Sequence, residues 1–255
     1  MKIGYHISIS GGLVKTAHSI KQQKLSAVQI FPGSPRTYFP SKFSISDFEA
    51  FQNLNIPKFV HINYLVNPAS DKPVLPKAIA ENLQFCDQIG ADGLIIHMGS
   101  NKDKEGGMEL TRHNFLRAYE KTGAKTKILI ETTAEGGERL KLDLILKFLE
   151  ENKDLNVGMC LDTAHIYAAG YDVVETIEKY HDKIDVVHLN NPSPNVEFGK
   201  HKDQHDVSLF DSTAKLSERE IENIISLCKL YNIPMILETG TMFEDVNMIN
   251  EKYNN

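Results

Sequence analysis

The feature that most constrains the fold is the recurrence of short apolar runs, each followed by a segment whose apolar residues have helical spacing. The runs lie at 2–6, 27–31, 58–61, 93–97, 127–131, 157–162, 184–189 and 235–238. They are mostly apolar on both faces and rich in Ile, Val and Leu, which is typical of parallel strands buried on both sides. Eight such strand–helix units in 255 residues predict an α/β fold, a (β/α)8 TIM barrel that forms a single domain over residues 1–255.

The segments between the runs predict the outer layer of that barrel. Helices are expected at 13–23, 46–53, 75–89, 109–121, 140–152, 173–180, 218–231 and from about 244. A doubly wound open sheet fits less well, because the chain has neither a G-x-G-x-x-G motif nor a P-loop. The longest irregular segment, 190–215, follows the seventh run. An irregular segment of that length in a compact domain is usually functional or mobile.

Composition and charge narrow the function classes. Hydrophobic residues make up 41% and charged residues 24% of the chain, which excludes a disordered or collagen-like protein. No apolar run reaches the roughly 18 residues of a membrane helix, so we expect no membrane partner. The N-terminal sequence leads directly into the first strand, which favours an intracellular, cytoplasmic protein that is not secreted, with a nuclear or viral compartment left open. Because the net charge is −6, nucleic-acid binding would depend on a local patch or on metal ions.

Acidic residues and histidines end the predicted strands from the third onward. These strand-end residues are His61, His97, Glu131, Asp162, His188 and Glu238. In a TIM barrel the carboxyl ends of the strands form the catalytic face. Burying several carboxylates and imidazoles together is costly unless cations pair with them, so the pattern predicts a cluster of divalent metal ions. His6 also ends a strand, and the sequence leaves open whether it supports the metal ligands or makes a purely structural hydrogen bond.

Two short motifs add candidate ligands. Asp162 and His165 are three positions apart in D-T-A-H, and Asp203 and His205 are two apart in K-D-Q-H. The full set of candidates is His61, His97, Glu131, Asp162, His165, His188, Asp203, His205 and Glu238. This set is too large for one tetrahedral zinc, but with one bridging carboxylate it suits three ions. Mixed imidazole and carboxylate ligands suit Zn²⁺, with Mn²⁺ or Fe²⁺ as alternatives at some sites.

Several motifs occur in a fixed order along nearly the whole chain. Residues 4–13 read G-Y-H-I-S-I-S-G-G-L, and residues 157–172 read V-G-M-C-L-D-T-A-H-I-Y-A-A-G-Y-D. Shorter stretches read I-I-H-M-G-S, L-I-E-T-T-A-E-G, V-H-L-N-N and I-L-E-T. Taken together, the set resembles the endonuclease IV family, the metal-dependent AP endonucleases, whose most characteristic signature is D-T-x-H-x-x-A-A-G-Y-D.

The resemblance implies a TIM barrel with three zinc ions and distributes the candidate ligands among them. The first ion would be held by His61, His97 and Glu131, the second by Glu131, Asp162, His188 and Glu238, and the third by His165, Asp203 and His205. The expected catalytic residues are Glu131, which would hold two of the ions, and Glu238, which would lie near the attacking water. The implied activity is hydrolysis of the phosphodiester immediately 5′ to an abasic site, giving a 3′-hydroxyl, with trimming of blocked 3′ ends during base excision repair.

DNA binding would come from the loops that follow the strands. By resemblance, Arg36 in G-S-P-R-T-Y and Tyr64 and Leu65 in H-I-N-Y-L correspond to residues that enter the duplex at the lesion. An abasic nucleotide is not stacked, so its extrusion costs less than that of a normal nucleotide. Lys102 and Lys104, expected in a loop after the fourth strand, would contact phosphates. The expected partner is double-stranded DNA with abasic sites or blocked 3′ ends, bound by a monomer.

The chain departs from the family pattern in three places, one of them the loop around 32–39, and two other functions compete. After His205 the glycines of the usual His-Ser-Leu-Gly run are missing, and residues 191–193 read N-P-S where the family has N-D-(A/S).

A sugar isomerase or epimerase of the xylose isomerase-like superfamily would also carry strand-end ligands. Such an enzyme does not need His165, Asp203 and His205 for a third ion. A DNA-binding barrel that has lost catalysis is disfavoured because every candidate ligand is present.

Overall fold

The barrel predicted from the apolar runs is present. The computed structural model describes residues 1–34, 36–134 and 142–253. Its parallel strands close in sequence order, and β1 pairs with both β2 and β8. The strands are β1 Ile3–His6, β2 Ala27–Ile30, β3 Lys58–His61, β4 Gly93–His97, β5 Lys127–Glu131, β6 Val157–Asp162, β7 Ile184–His188 and β8 Met235–Leu237. The expected (β/α)8 TIM barrel is therefore confirmed.

The helices surround the barrel and mostly lie where they are expected. They are α1 Leu13–Gln22, α2 Ile45–Gln52, α3 Leu75–Ile89, α4 Lys104–Thr122, α5 Leu142–Glu151, α6 Thr163–Ala169, α7 Val173–Tyr180, α8 Glu218–Leu230 and α9 Met242–Tyr253. The short α6 was not predicted, and the expected helical residues 140–141 lie outside the described residues. Among the described residues, no helix is both long and apolar enough to span a membrane.

The start of α4 corrects one expectation. Lys104 is the first residue of this helix and does not lie in a loop. The reason is the preceding Asp103, whose side chain accepts a hydrogen bond of 3.1 Å from the backbone N–H of Gly106. A carboxylate at this position satisfies one of the free N–H groups of the first turn and starts the helix earlier than its apolar pattern indicates. Lys102 remains in the loop between β4 and α4.

The inner faces of the strands carry one buried apolar cluster, which we call the apolar layer. It consists of Ala27, Phe59, Ile95, Leu129, Cys160, Val186 and Ile236. Neighbouring residues in the same strands, such as Leu94 and Ile96, belong to the larger core between strands and helices. On β1 the corresponding position is Gly4, where a Cβ would lie 1.7 Å from the Ala27 carbonyl oxygen, so a side chain has no room. Because side chains alternate between the two faces, residues two positions beyond this layer again face the barrel interior.

Candidate metal centre

A ring of polar residues, which we call the polar layer, lies directly above the apolar layer at the carboxyl ends of the strands. Two positions after each member of the apolar layer, and after Gly4, the chain carries His6, Gln29, His61, His97, Glu131, Asp162, His188 and Glu238. Six of these are the strand-end candidates of the sequence. The ring therefore gathers them at the carboxyl end of the barrel, where His61, His97, Glu131 and Glu238 line a cleft of about 540 Å³.

The first group of side chains joins β3, β4 and β5. His61 Nε2 and His97 Nε2 each lie 2.9 Å from the same oxygen of Glu131, Oε2. His61 and Glu131 are buried, and His97 is half-buried. The parallel register that places His97 beside Glu131 brings the neighbouring strand ends to the same height. Two imidazoles and one carboxylate oxygen thus converge on one point.

The second group uses the other oxygen of the same glutamate. His188 Nδ1 lies 3.2 Å from Glu131 Oε1 and 3.2 Å from Glu238 Oε2, and 3.8 Å from Asp162 Oδ2. His188, Asp162 and Glu131 are buried. Because its two oxygens face different groups, Glu131 has the arrangement of a bridging carboxylate.

The third group combines α6 with the long loop after β7. Asp203 Oδ1 lies 3.1 Å from His165 Nε2 and 3.5 Å from His205 Nε2. Asp162 can join the same two histidines, because its ligand atom also falls within 4.8 Å of theirs. Asp162 in addition caps α6: its Oδ1 accepts from the backbone N–H of His165 at 2.9 Å. The D-T-A-H motif therefore starts a helix and turns His165 into the cleft.

The loop that carries Asp203 and His205 is held against α6. Its His201 N–H donates to the Ala168 carbonyl at 2.8 Å. Gly170 and Gly199 both have positive φ, 92° and 71°, and a Cβ on Gly170 would lie 3.1 Å from the Gly199 Cα. The glycine of the A-A-G-Y-D motif thus allows the close approach of the loop to the helix.

The orientation of the buried histidines is fixed from behind. His61 Nδ1 donates to the Ile62 carbonyl at 2.7 Å, and His165 Nδ1 donates to the Thr132 carbonyl at 2.8 Å. In the neutral form that binds a metal an imidazole carries one N–H, so these bonds would leave Nε2 of both rings with a lone pair directed at the cleft. Metal-binding histidines are commonly held in this way.

The charges of the polar layer and of the third group stabilise one another. Burial alone would raise the pKa of Glu131, but the positive charges of His97 and His188 hold it well below its usual range. Burial would lower the pKa of His165, but the carboxylates of Asp162 and Asp203 raise it to about 10. In the metal-free protein, protons on His165 and His188, whose pKa values are both raised, therefore balance the carboxylates.

The donor set fits divalent metal ions. Two ligands that each lie about 2.0–2.1 Å from a tetrahedral zinc are about 3.3–3.4 Å apart, close to the separations within these groups. Among the described residues, His165 Nε2 and His205 Nδ1 are buried without a hydrogen-bond partner. His165 Nε2 lies 3.1 Å from Asp203 Oδ1 and yet does not have hydrogen-bond geometry towards it. The unpaired His165 Nε2, which faces Asp203 and His205, is better explained as the ligand of a cation.

Apart from Lys104, which begins α4, the residues expected to contact DNA lie on loops at this end of the barrel. Tyr64 and Leu65 follow β3 and are 64% and 44% exposed. The Tyr64 ring packs edge-on against Phe31, with ring centres 5.4 Å apart. Arg36 is exposed in the loop between β2 and α2, and Lys102 is exposed after β4. Their roles in DNA binding remain predictions.

Two residues of the site were missed by the sequence interpretation because amides are not typical zinc ligands. Gln29 donates to Glu238 Oε1 and accepts from His188 Nε2, both at 2.7 Å. Asn190 donates to Asp162 Oδ2 at 2.7 Å and accepts from the Glu238 N–H at 2.9 Å. The spacing of two from Ala27 could have indicated Gln29, whereas no simple pattern indicates Asn190.

Comparison with known proteins agrees with the motifs. Residues 19–241 match the model of the family described as xylose isomerase-like TIM barrel. A protein of Carboxydothermus hydrogenoformans named "Probable endonuclease 4" is 30% identical and covers 94% of this chain and 91% of its own length. The crystal structure of endonuclease IV from Thermus thermophilus has a TM-score of 0.83 at 26% identity, with 98% of both chains covered.

A more distant structure shares only the fold. A D-tagatose 3-epimerase-like protein has a TM-score of 0.72 at 17% identity, with 98% of this chain and 95% of that chain covered. The chain belongs to the xylose isomerase-like TIM barrel family and, within it, to the endonuclease IV family. The resemblance inferred from the motifs is thus confirmed.

Proposed function

We propose that the protein is a DNA-repair AP endonuclease, which hydrolyses the phosphodiester 5′ to an abasic site and leaves a 3′-hydroxyl. The observation that carries this proposal is the set of three side-chain groups in one cleft, two of which share Glu131. Trimming of blocked 3′ ends would use the same chemistry. Membership of the endonuclease IV family supports a nuclease, and the cleft supplies the groups that such a reaction needs.

The three groups would hold three zinc ions, with Mn²⁺ or Fe²⁺ as alternatives at some sites. His61, His97 and Glu131 would hold one ion, and Glu131, Asp162, His188 and Glu238 a second. His165, Asp203 and His205 would hold the third, with Asp162 close enough to take part. Bound dications would offset the negative charge of the phosphodiester and make water a stronger nucleophile at neutral pH.

The protein's own residues would position the substrate and exclude water. Glu131 would keep two ions at a fixed separation through its two oxygens. Glu238 lies at the rim of the second group, where its carboxylate would orient the attacking water. Tyr64 and Leu65 are exposed beside the cleft and would fill the gap that the extruded abasic nucleotide leaves in the duplex, with Arg36 acting from the neighbouring loop.

The third group also separates this proposal from a sugar isomerase or epimerase. An isomerase of this fold would need one or two ions, whereas His165, Asp203 and His205 form an additional group. The epimerase-like neighbour is similar in fold alone. No feature of the described residues favours the isomerase over the nuclease.

The proposal is tested with a duplex that contains one tetrahydrofuran abasic analogue. Zinc-supplemented protein should nick this strand immediately 5′ to the analogue, and the upstream fragment should be extended by a DNA polymerase because it ends in a 3′-hydroxyl. The same duplex without the analogue is the control and should stay intact. Cleavage on the 3′ side, or none at all by protein loaded with metal, would contradict the proposal.

A further inference from the structure

Gln29 is the uncharged amide in a layer otherwise made of histidines and acids. Gln29 lies in this layer because it follows Ala27 by two positions, the same spacing as in the other strands. Its side chain is fully buried. A buried primary amide must satisfy two N–H donors and one carbonyl oxygen, so each of these groups of Gln29 needs a hydrogen-bond partner.

The carbonyl oxygen and both N–H groups of this amide form hydrogen bonds with residues of the polar layer. The carbonyl Oε1 accepts from His188 Nε2 at 2.7 Å. The amide nitrogen donates to Glu238 Oε1 at 2.7 Å and to His6 Nδ1 at 3.0 Å. Gln29 therefore ties three strand ends together: β1 through His6, β7 through His188, and the end of β8 through Glu238.

The chemistry of an amide makes these bonds directional. A carbonyl oxygen only accepts, so His188 must carry its proton on Nε2, which leaves the lone pair of Nδ1 in a neutral ring. That Nδ1 lies 3.2 Å from both Glu131 Oε1 and Glu238 Oε2. An amide N–H only donates, so it holds Glu238 Oε1 aside and leaves Oε2 directed at the same point as His188 Nδ1.

We propose that Gln29 is a positioning residue for the second metal group, in which it selects the Nδ1-ligating form of His188 and orients Glu238. This inference rests on the metal-dependent function proposed above. It assigns to β2 a role in the site although β2 contributes none of the candidate ligands.

The other buried histidines show why Gln29 can be tested. His61 and His165 are held from behind by backbone carbonyls of Ile62 and Thr132, which no substitution removes. His188 is held by a side chain, so its support can be deleted without changing a ligand. Removing partners of this kind typically costs about 10–100-fold in metal affinity.

The test compares two variants of Gln29. Gln29→Met keeps the length of the side chain but removes its hydrogen bonds. Gln29→Glu keeps the oxygen that accepts from His188 but loses the N–H groups that donate to Glu238 and His6. The control is Asn152→Leu, which removes a buried amide at the end of α5 that bonds the Phe148 carbonyl. Zinc affinity is measured by competition with a chromophoric chelator, and the His188 Nε2–H is followed by nitrogen-15 NMR of the zinc-loaded protein.

The proposal predicts that Gln29→Met weakens one of three zinc sites about 10–100-fold and exposes the His188 Nε2–H to rapid exchange. Gln29→Glu should keep that N–H protected and still weaken the same site, and Asn152→Leu should change neither property. Unchanged affinity in both Gln29 variants, or an identical NMR response of the two, overturns the inference. If Gln29→Met does not fold, unchanged zinc affinity in Gln29→Glu overturns it alone. Wild-type protein that binds no zinc would instead refute the proposed function.

Discussion

The apolar layer and the polar layer occupy the same inner face of the same strands, two residues apart, and differ in almost every other respect. Ile95 and His97 on β4 illustrate the contrast: the first is fully buried among apolar neighbours, and the second faces a cleft lined by imidazoles and carboxylates. Burial of the apolar layer stabilises the fold without any partner. The polar layer contains groups that are costly to bury unless cations or protons balance their charges.

Along each strand, the residue in the apolar layer therefore stabilises the fold, and the residue two positions later supplies a group for chemistry. Packing in the apolar layer closes the barrel beneath the cleft and excludes water from its floor. The polar layer can then hold charged groups at fixed distances, as the two oxygens of Glu131 do. The predictions below test whether the two layers respond differently to the same kind of change.

The largest effect is expected at Glu131. Glu131→Gln removes the carboxylate that faces two groups, so cleavage of the abasic duplex should fall below detection and the zinc content should drop by at least one ion per chain. Metal analysis and a cleavage assay measure this. Glu109→Gln, on the exposed side of α4, is the control and should leave both values unchanged. Normal zinc content in Glu131→Gln would contradict the bridging role.

The pair Ile95→Ala and His97→Ala compares the layers within one strand. Ile95→Ala should lower the free energy of unfolding by about 2–5 kcal/mol, with or without zinc, because it leaves a cavity in a packed layer. His97→Ala should lower it less in the metal-free protein, because His97 is half-buried, but should abolish tight binding of one zinc. Chemical denaturation and zinc titration distinguish them. Equal destabilisation of the metal-free protein by both changes would remove the distinction.

Gly170→Ala tests whether the loop must approach α6. Its Cβ would meet Gly199, and the φ of 92° adds strain. We expect the zinc content to fall from three to two and cleavage to fall about 100-fold, as for a misplacement of about 1 Å. Gly123→Ala is the matched control, because Gly123 also has a positive φ but no described atom would contact its Cβ. An equal loss of zinc in both variants would argue against the loop contact.

The pH dependence of stability should differ between the metal-free and zinc-loaded forms. The pKa of His165 is raised to about 10 in the folded metal-free protein, above the value of about 6.5 in an unfolded chain. Its contribution is complete below pH 6.5 and is lost as the pH rises towards 10. The metal-free protein should therefore lose stability across this window by up to about 1.4 kcal/mol per pH unit. His165→Gln should flatten that slope, and a metal-free stability that rises from pH 7 to 10 would contradict the charge balance.

The smallest effect is expected outside both layers, at Lys102. Lys102→Ala should weaken DNA binding and reduce the slope of log affinity against log salt by about 1, because one phosphate contact is lost. The zinc content should not change. Fluorescence anisotropy at several salt concentrations measures the slope, and an unaltered slope would exclude Lys102 from the DNA contact surface.

Much of this organisation could be predicted from the sequence because it follows local periodicity. Strands buried on both faces give continuous apolar runs, and the last inward residue of a strand, such as His97 or Glu131, is visible as a polar break in such a run. Gln29 follows the same rule, but its residue type gives no sign of metal chemistry, and it was missed.

The rest depends on contacts between distant parts of the chain. The long loop places Asp203 and His205 near His165 only because backbone hydrogen bonds and two glycines hold it against α6. Spacing alone suggested that each pair could aim into a cavity, and the assignment of the third group came from the family resemblance. The early start of α4 at Lys104 was missed because a cap at Asp103 decides it.

The central claim is that cations balance the polar layer and the third group. It is tested most directly by anomalous diffraction from crystals of zinc-supplemented protein, collected on both sides of the zinc absorption edge. We predict three anomalous peaks in the cleft: one between His61, His97 and Glu131, one beside His188, and one between His165 and Asp203. A cleft without anomalous density at full zinc supplementation, or peaks bound only at surface residues, would contradict this account.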